Sequence, residues 1–318
     1  MHFMRLRIVS LIISLIISLT GTIPCLSAYA ASPADGWLPV QETGLPPAGY
    51  LGGSRLTLMG NCSGSQMNSC VIETDNGSLI VIDGGTELDG KHLQDFLIAR
   101  HRPVSAWLIT HPHNDHAGAL LYCLSYPGLT IDHVYYSFAP QDWYETVEKH
   151  RAPFVQKLSG ALSTLPAASL HGNLSEGDQI TVDNVTITVL KAADFAQFHN
   201  INDSSVMFSL KIHDKTVLFP GDLGAAEGDA WLASHDPSLL KSDIVQMAHH
   251  GQGGTSLAFY EAVRPEVCLW PAPDWLWNNN SGEGINTGHW QTLTTRSWMN
   301  YLQVPYHLVE KNGDQTIE

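Results

Sequence analysis

The sequence predicts an α/β protein in which two β-sheets pack together with helices outside them. Three features of the 318 residues carry that reading. Strand-like runs alternate with helix-like ones from about residue 50 onward, both halves of the chain are β-rich, and each half is interleaved with amphipathic segments. With 44% hydrophobic residues, the chain can bury one large core or two modest ones. No low-complexity insert or linker splits it.

The first thirty residues read as a cleavable export signal. Arg5 and Arg7 form a basic start, IVSLIISLIISL from Ile8 to Leu19 is apolar, and Ala28-Tyr29-Ala30 is an A-x-A cleavage site. An uncleaved anchor is the alternative, and the apolar run falls short of the ~20 residues a membrane span prefers. Cys25 follows Thr-Ile-Pro, a poor context for lipidation. The expected mature chain is therefore secreted. Residues 31–50 hold frequent Pro and Gly without a period and read as a tail or linker, leaving 51–318 as the domain.

Along that domain, CVIETDNGSLIVIDGG places two apolar runs around Asp75-Asn76-Gly77, a hairpin signal. LDGKHLQDFLIARH reads as a helix with Leu88, Leu93, Phe96 and Leu97 on one face. VSAWLIT is a buried-strand run, residues 117–125 a short helix, and IDHVYYS another strand. Residues 140–165 are amphipathic and read as helical, broken near Pro153. QITVDNVTITVL predicts a hairpin about Asp183-Asn184, and SSVMFSLKIHDKTVLFPGD a second about His213-Asp214. SDIVQMAHHG and EVCLWPAP supply two further strands, with helical pattern between and after them.

Charge narrows the partners. The chain carries 31 acids against 16 Lys and Arg, formally −15; signal cleavage removes two arginines and gives 14 − 31 = −17. Such a surface repels nucleic-acid phosphates at long range. It does not forbid a locally positive site, because bound metal ions bring their own charge. Oligomeric state is not legible. Cys62, Cys70, Cys123 and Cys268 remain after cleavage, and oxidising surroundings permit disulfides. Cys62 and Cys70 flank the loop SGSQMNS and form the candidate pair. A thiolate zinc site would need C-x-x-C spacing, which the chain lacks.

THPHNDHAG, Thr110 to Gly118, concentrates three histidines and an aspartate directly after a strand. In extended backbone His111 and His113 point the same way, so both imidazoles reach one ion. Asp115 and His116 follow as the chain turns, adding an oxygen and a third nitrogen. Such donors suit Zn²⁺, and also Mn²⁺ or Fe. A solvated histidine-rich loop is the bland alternative, and the buried strand leading into the cluster speaks against it.

HPHNDH resembles the H-x-H-x-D-H signature of the metallo-β-lactamase-fold hydrolases, and the rest of that family's pattern follows in order. Asp83, ending LIVIDGG, matches the first aspartate, which partners the ligands from behind. Asp222 in LFPGD matches the aspartate that bridges two metals, and His250 in QMAHHGQGGTS the late histidine of the second metal. NDSSVMF, FPGD and HHG together are similar to the extracellular catalytic-type domain of ComEC-like competence proteins, over roughly Leu51 to the C-terminus. The resemblance implies an αββα four-layer sandwich of two mixed sheets. It also implies two divalent ions, Zn²⁺ foremost, held by His111, His113, Asp115, His116, Asp222 and His250. Many family members carry a further histidine before the GD motif; this chain has Asn202, Ser204 and Ser205 there, with His199 close enough in sequence to substitute. His249 is assigned as a neighbour of the ligands.

The implied activity is hydrolysis by a metal-bridging hydroxide, with Asp115 orienting it. His289 resembles the family's late Gly-His and is expected to contact substrate or donate a proton, or else to cap the helix WQTLTTRSWMNYL. Trp270, Trp275, Trp277 and Trp290 cluster near the expected mouth. Most are expected in the core; Trp275 or Trp277, if exposed, would stack on a substrate. Phosphodiester hydrolysis leads, with net charge favouring a small substrate over polymeric nucleic acid. Hydrolysis of C–O or C–N bonds, as in lactonases and β-lactamases, is the second class, and a non-catalytic metal-binding module the third.

Overall fold

A computed structural model describes residues 38–196 and 200–318. The signal segment and His199 lie outside the described residues. Among the described residues, fourteen strands form two seven-stranded sheets. The first contains β1 (Arg55–Leu58), β2 (Ser69–Glu73), β3 (Leu79–Asp83), β4 (Val104–Leu108), β5 (Val134–Tyr135), β6 (Leu170–His171) and the C-terminal β14 (Gln315–Ile317). The second contains β7 (Gln179–Val182), β8 (Val185–Lys191), β9 (Met207–Ile212), β10 (Lys215–Phe219), β11 (Ile244–Gln246), β12 (Val267–Trp270) and β13 (Tyr306–Val309).

Both sheets follow one plan. β14-β1-β2-β3 pair antiparallel, and β3-β4-β5-β6 run parallel. Likewise β7-β8-β9-β10 pair antiparallel, and β10-β11-β12-β13 run parallel. All three expected hairpins form, with Asp183 and His213 in the left-handed region that tight turns require.

The pleat explains the layers. In β8 the residues alternate buried and half-buried, and Val185, Ile187 and Val189 face Leu56, Ile72, Ile82 and Leu108 of the other sheet. The outer face of the first sheet, with Val71, Val81 and Trp107, packs on α1 (Gly90–Ile98), α2 (Asn114–Ser125) and α4 (Ala152–Leu162). α3 (Gln141–Val147) precedes α4, and the break between them puts Pro153 in the first turn of α4, where its missing N–H is harmless. The outer face of the second sheet packs on α5 (Ala225–Ser234), α6 (Leu257–Val263), α7 (Asp274–Trp277) and α8 (Thr292–Tyr301). The result is the αββα sandwich of two mixed sheets.

Two expectations fail locally. Leu88 is 77% exposed, because α1 begins only at Gly90 and leaves Leu88 outside it, whereas Leu93 and Leu97 are buried. Cys62 and Cys70 do not pair: all four described cysteines are free. β2 turns Cys70 into the core between the sheets, while the Asp89 carboxylate accepts from the backbone N–H of Cys62 in an exposed loop. Residues 38–50 carry no helix or strand, yet the Val40 and Thr43 backbone N–H groups donate to the carbonyl oxygens of Arg296 and His307. No helix among the described residues is long and apolar enough to cross a membrane.

Candidate metal centre

In each sheet the change from antiparallel to parallel pairing falls at one strand, β3 and β10, and in α/β sheets ligands gather beyond the carboxyl ends of the strands. The candidate residues lie there. Asp83 ends β3 and His111 and His113 follow β4; Asp222 follows β10 and His250 follows β11. Asp115 and His116 sit in the first turn of α2.

The structure brings six of these seven, all but Asp83, into two buried groups. His111, His113 and Asp222 form one, and Asp115, His116 and His250 the other, with the donor atoms of each group within 4.8 Å of one another. Asp222 lies between them: its carboxylate is 3.8 Å from His111 Nε2, 3.1 Å from His116 Nε2 and 3.5 Å from His250 Nε2.

Each imidazole is held from behind. His111 Nδ1 meets Thr110 Oγ1 at 3.1 Å and Ser205 Oγ at 3.2 Å. His116 Nδ1 meets Asp83 Oδ2 at 2.8 Å, and His250 Nδ1 the carbonyl oxygen of Pro271 at 2.8 Å. His113 is held through its other nitrogen, Nε2, by Glu148 Oε2 at 3.1 Å, leaving Nδ1 for the site. Asp83 also accepts from the Thr110 backbone and from Asn68 Nδ2.

What is left over tests the fit of a metal. Nε2 of His111, His116 and His250, with Oδ1 of Asp115 and Asp222, are buried and have no hydrogen-bond partner of proper geometry. Orphaned polar atoms buried together are costly unless something binds them. Three nitrogens and two carboxylate oxygens, plus His113 Nδ1, are the donors that Zn²⁺, Mn²⁺ or Fe takes. The two groups fit a binuclear metal site.

The electrostatics agree. Burial alone would raise the Asp222 carboxyl, but the His116 and His250 imidazoles outweigh it and hold it well below the usual range. Burial would lower His250, yet Asp222 and Asp115 raise it to about 10, and Asp222 and Asp83 raise His116 well above the ordinary value. Burial, reinforced by His116, pushes His111 well below it. The carboxylates thus demand positive charge at the site's centre, which protons answer when no cation is bound.

Backbone strain marks the same place. Asp83 (φ 58°), His249 (φ 50°) and His250 (φ 57°) are non-glycine residues in the left-handed region, two of them consecutive. Such conformations persist where surrounding contacts dictate them. At Gly221 (φ 61°) a Cβ would approach Ser205 Oγ and Thr110 Cβ to 2.9 Å, so the turn carrying Asp222 requires glycine.

The model of the metallo-β-lactamase superfamily matches residues 63–264, more than half of the chain. The chain belongs to that superfamily. No curated protein matches its sequence. Among solved structures it is similar to the metallo-β-lactamase fold protein YhfI from Bacillus subtilis, at 12% identity and a TM-score of 0.48, covering 83% of this chain and 99% of that one. It is similar to a diphosphatase from the PhnP family at 14% identity and a TM-score of 0.43, covering 83% of this chain and 97% of that one. It is also similar to CmlA, a diiron β-hydroxylase from Streptomyces venezuelae, at 11% identity and a TM-score of 0.47, with 86% of this chain covered but only 55% of CmlA.

The remaining residues expected around this metallo-β-lactamase site divide. Asn202 is near the rim, its Nδ2 3.3 Å from His249 Nε2, so His249 is a neighbour of the donors and not a member of either group. His289 is exposed, rests on the Trp290 ring at 4.6 Å, and is not a cap, since Gln291 stands at the start of α8. Trp277 is 1% exposed in the core beneath the Arg296 guanidinium, which excludes it from substrate stacking. Trp275 is half-buried and donates to the Gly64 carbonyl; its ring partner at 4.7 Å is Trp290.

Two neighbours of the donors escaped sequence reasoning. Glu148, 35 positions beyond His113, is one. Gln66, which donates to Asp115 and accepts from Gln252, is another. No spacing rule links them to the motif; only the fold does.

Proposed function

We propose that this protein is an exported, binuclear metal-dependent phosphodiesterase acting on a small phosphodiester, a ComEC-like member of its superfamily. The observation that carries the reading is the donor set. The six donors comprise four imidazoles and two carboxylates. With the imidazoles neutral, two divalent ions leave a formal charge of 4 − 2 = +2 in a chain whose net charge is −15. Such a focus suits an anionic substrate better than a neutral lactone or lactam.

His111, His113 and Asp222 would hold one ion, and Asp115, His116 and His250 the other. Where many superfamily members add a third histidine, the short turn Asn202–Ser204 and Ser205 stand instead, which leaves the first group open to a substrate oxygen. Bound divalent ions would lower the pKa of a coordinated water toward neutrality and offset negative charge developing at phosphorus. Gln66 orients the Asp115 carboxylate by donating to Oδ2 at 3.1 Å. Glu148 and Asp83 fix the ring planes of His113 and His116. Export rests on Arg5, Arg7, the Ile8–Leu19 run and the Ala28-Tyr29-Ala30 site.

Purified protein loaded with Zn²⁺ or Mn²⁺ is expected to hydrolyse bis(p-nitrophenyl) phosphate. Turnover of nitrocefin or a lactone without any phosphodiester turnover would overturn this reading in favour of C–N or C–O hydrolysis. N-terminal sequencing of protein secreted by a bacterial host checks export, with Ala31 as the expected first residue.

A further inference from the structure

A lysine occupies a core position of the second sheet. In β8 Val185, Ile187 and Val189 face the other sheet, and Lys191, 8% exposed, follows them on the side of the sheet that packs on α5. The ladder slips between Val189 and Lys191, so that Lys191 comes opposite Met207. A buried ammonium is expensive unless its donors are met.

Two of its hydrogen bonds go to one turn. Lys191 Nζ donates to the carbonyl oxygens of Asp203 and Ser205, each at 3.1 Å, and more distantly to that of Ala192 at 3.4 Å. The first two carbonyls end the short turn Asn202–Ser204, where backbone acceptors lack intrahelical partners and favour a cation. Ser205, fully buried, uses its hydroxyl twice: Oγ meets His111 Nδ1 at 3.2 Å and accepts from the Asp222 backbone N–H at 3.1 Å. Its neighbour Val206 donates to the Thr110 carbonyl at 2.8 Å, tying the same turn to the histidine strand. A continuous path of hydrogen bonds thus runs from the lysine to two members of the first donor group.

We propose that Lys191 is a positioning residue for the first metal-binding group, acting through Ser205. It clamps the turn that stands where a third histidine is absent, so that Ser205 fixes the His111 ring and the Asp222 backbone. The first group, short of one imidazole, then gains its rigidity from a buried ammonium that never touches the metal. This proposal rests on the two-metal reading above.

The test is metal binding by demetallated protein, followed with Co²⁺ as a spectroscopic probe and Zn²⁺ by calorimetry. Lys191→Met fills the same space without donors. It is expected to weaken one of the two sites by about 10–100-fold while leaving the other within about threefold. Ser205→Ala is expected to weaken the same site. The double variant is expected to lose no more than the larger single loss, since both substitutions cut one path. Lys191→Arg, which keeps donors for both carbonyls, should recover part of the affinity. If Lys191→Met fails to fold, Ser205→Ala and Lys191→Arg still report on the path. Native affinity at both sites in a folded but less stable Lys191→Met protein would overturn the proposal, as would simple additivity of the two losses. Wild-type protein that does not take up two ions would instead overturn the two-metal reading, and this proposal with it.

Discussion

Glu148 offers a sharp test of how this site is held. Its carboxylate accepts from His113 Nε2 at 3.1 Å and from the Ile201 backbone N–H at 2.8 Å. The His113 and Glu148 side chains are only 9% and 19% exposed, so solvent screens the pair weakly. Burial raises the Glu148 carboxyl, but His113 and the Ile201 N–H outweigh it and keep its pKa below the ordinary value. Glu148→Ala removes two hydrogen bonds to a charged acceptor, each worth about 1.5–3 kcal/mol. The freed His113 ring can then rotate away from the site, and loss of such an outer partner lowers metal affinity about 10–100-fold. Glu148→Gln keeps one acceptor oxygen and should fall at the lower end of that range. Competition for Zn²⁺ against a chromophoric chelator measures the change, with circular dichroism confirming the fold. A Glu148→Ala protein that folds and binds both ions within twofold of wild type would refute the role given to this carboxylate.

Other outcomes follow from the same geometry. His116 and His250 have folded-state pKa values raised above the ordinary 6.5, so in demetallated protein they stabilise the fold below that pH, and the His250 contribution fades as pH rises toward about 10. Added Zn²⁺ replaces those protons, so the thermal shift it produces should grow between pH 6.5 and 9; a shift that shrinks over that range would contradict this. Gly221→Ala forces an alanine into the left-handed region against Ser205 and Thr110, and should cost more than about 1 kcal/mol with loss of metal uptake, read by chemical unfolding and elemental analysis. Trp277→Ala should lower stability by about 3–5 kcal/mol. Trp275→Ala removes a half-buried ring with its Trp290 contact and its bond to the Gly64 carbonyl, and should lower the melting temperature by less than Trp277→Ala, as thermal unfolding would register.

The division between what the sequence disclosed and what it hid has a physical basis. Period-2 alternation in VTITVLK and turn dipeptides such as Asp183-Asn184 are local signals, so the hairpins were legible. The metal donors were legible because H-x-H-x-D-H places four of them within six residues and the others lie in compact strand-end motifs. Glu148 and Lys191 were hidden because neither spacing nor composition links them to the motif; α3 and the slipped ladder of β8 bring them in. The Cys62–Cys70 pairing failed for a related reason: eight residues of sequence separation say nothing about a pleat that turns one thiol inward. Trp277 and Trp275 are two residues apart in LWPAPDWLWNNN, and only the short α7 decides which one is buried.

The central claim is that two buried His/Asp groups, with Asp222 between them, hold two divalent ions. Elemental analysis of reconstituted wild-type protein beside Asp222→Ala tests it most directly. The expected result is two equivalents of Zn²⁺ per wild-type chain and no more than one tightly held equivalent in the variant. Fewer than two equivalents in the wild type, or an undiminished two in Asp222→Ala, would contradict the account.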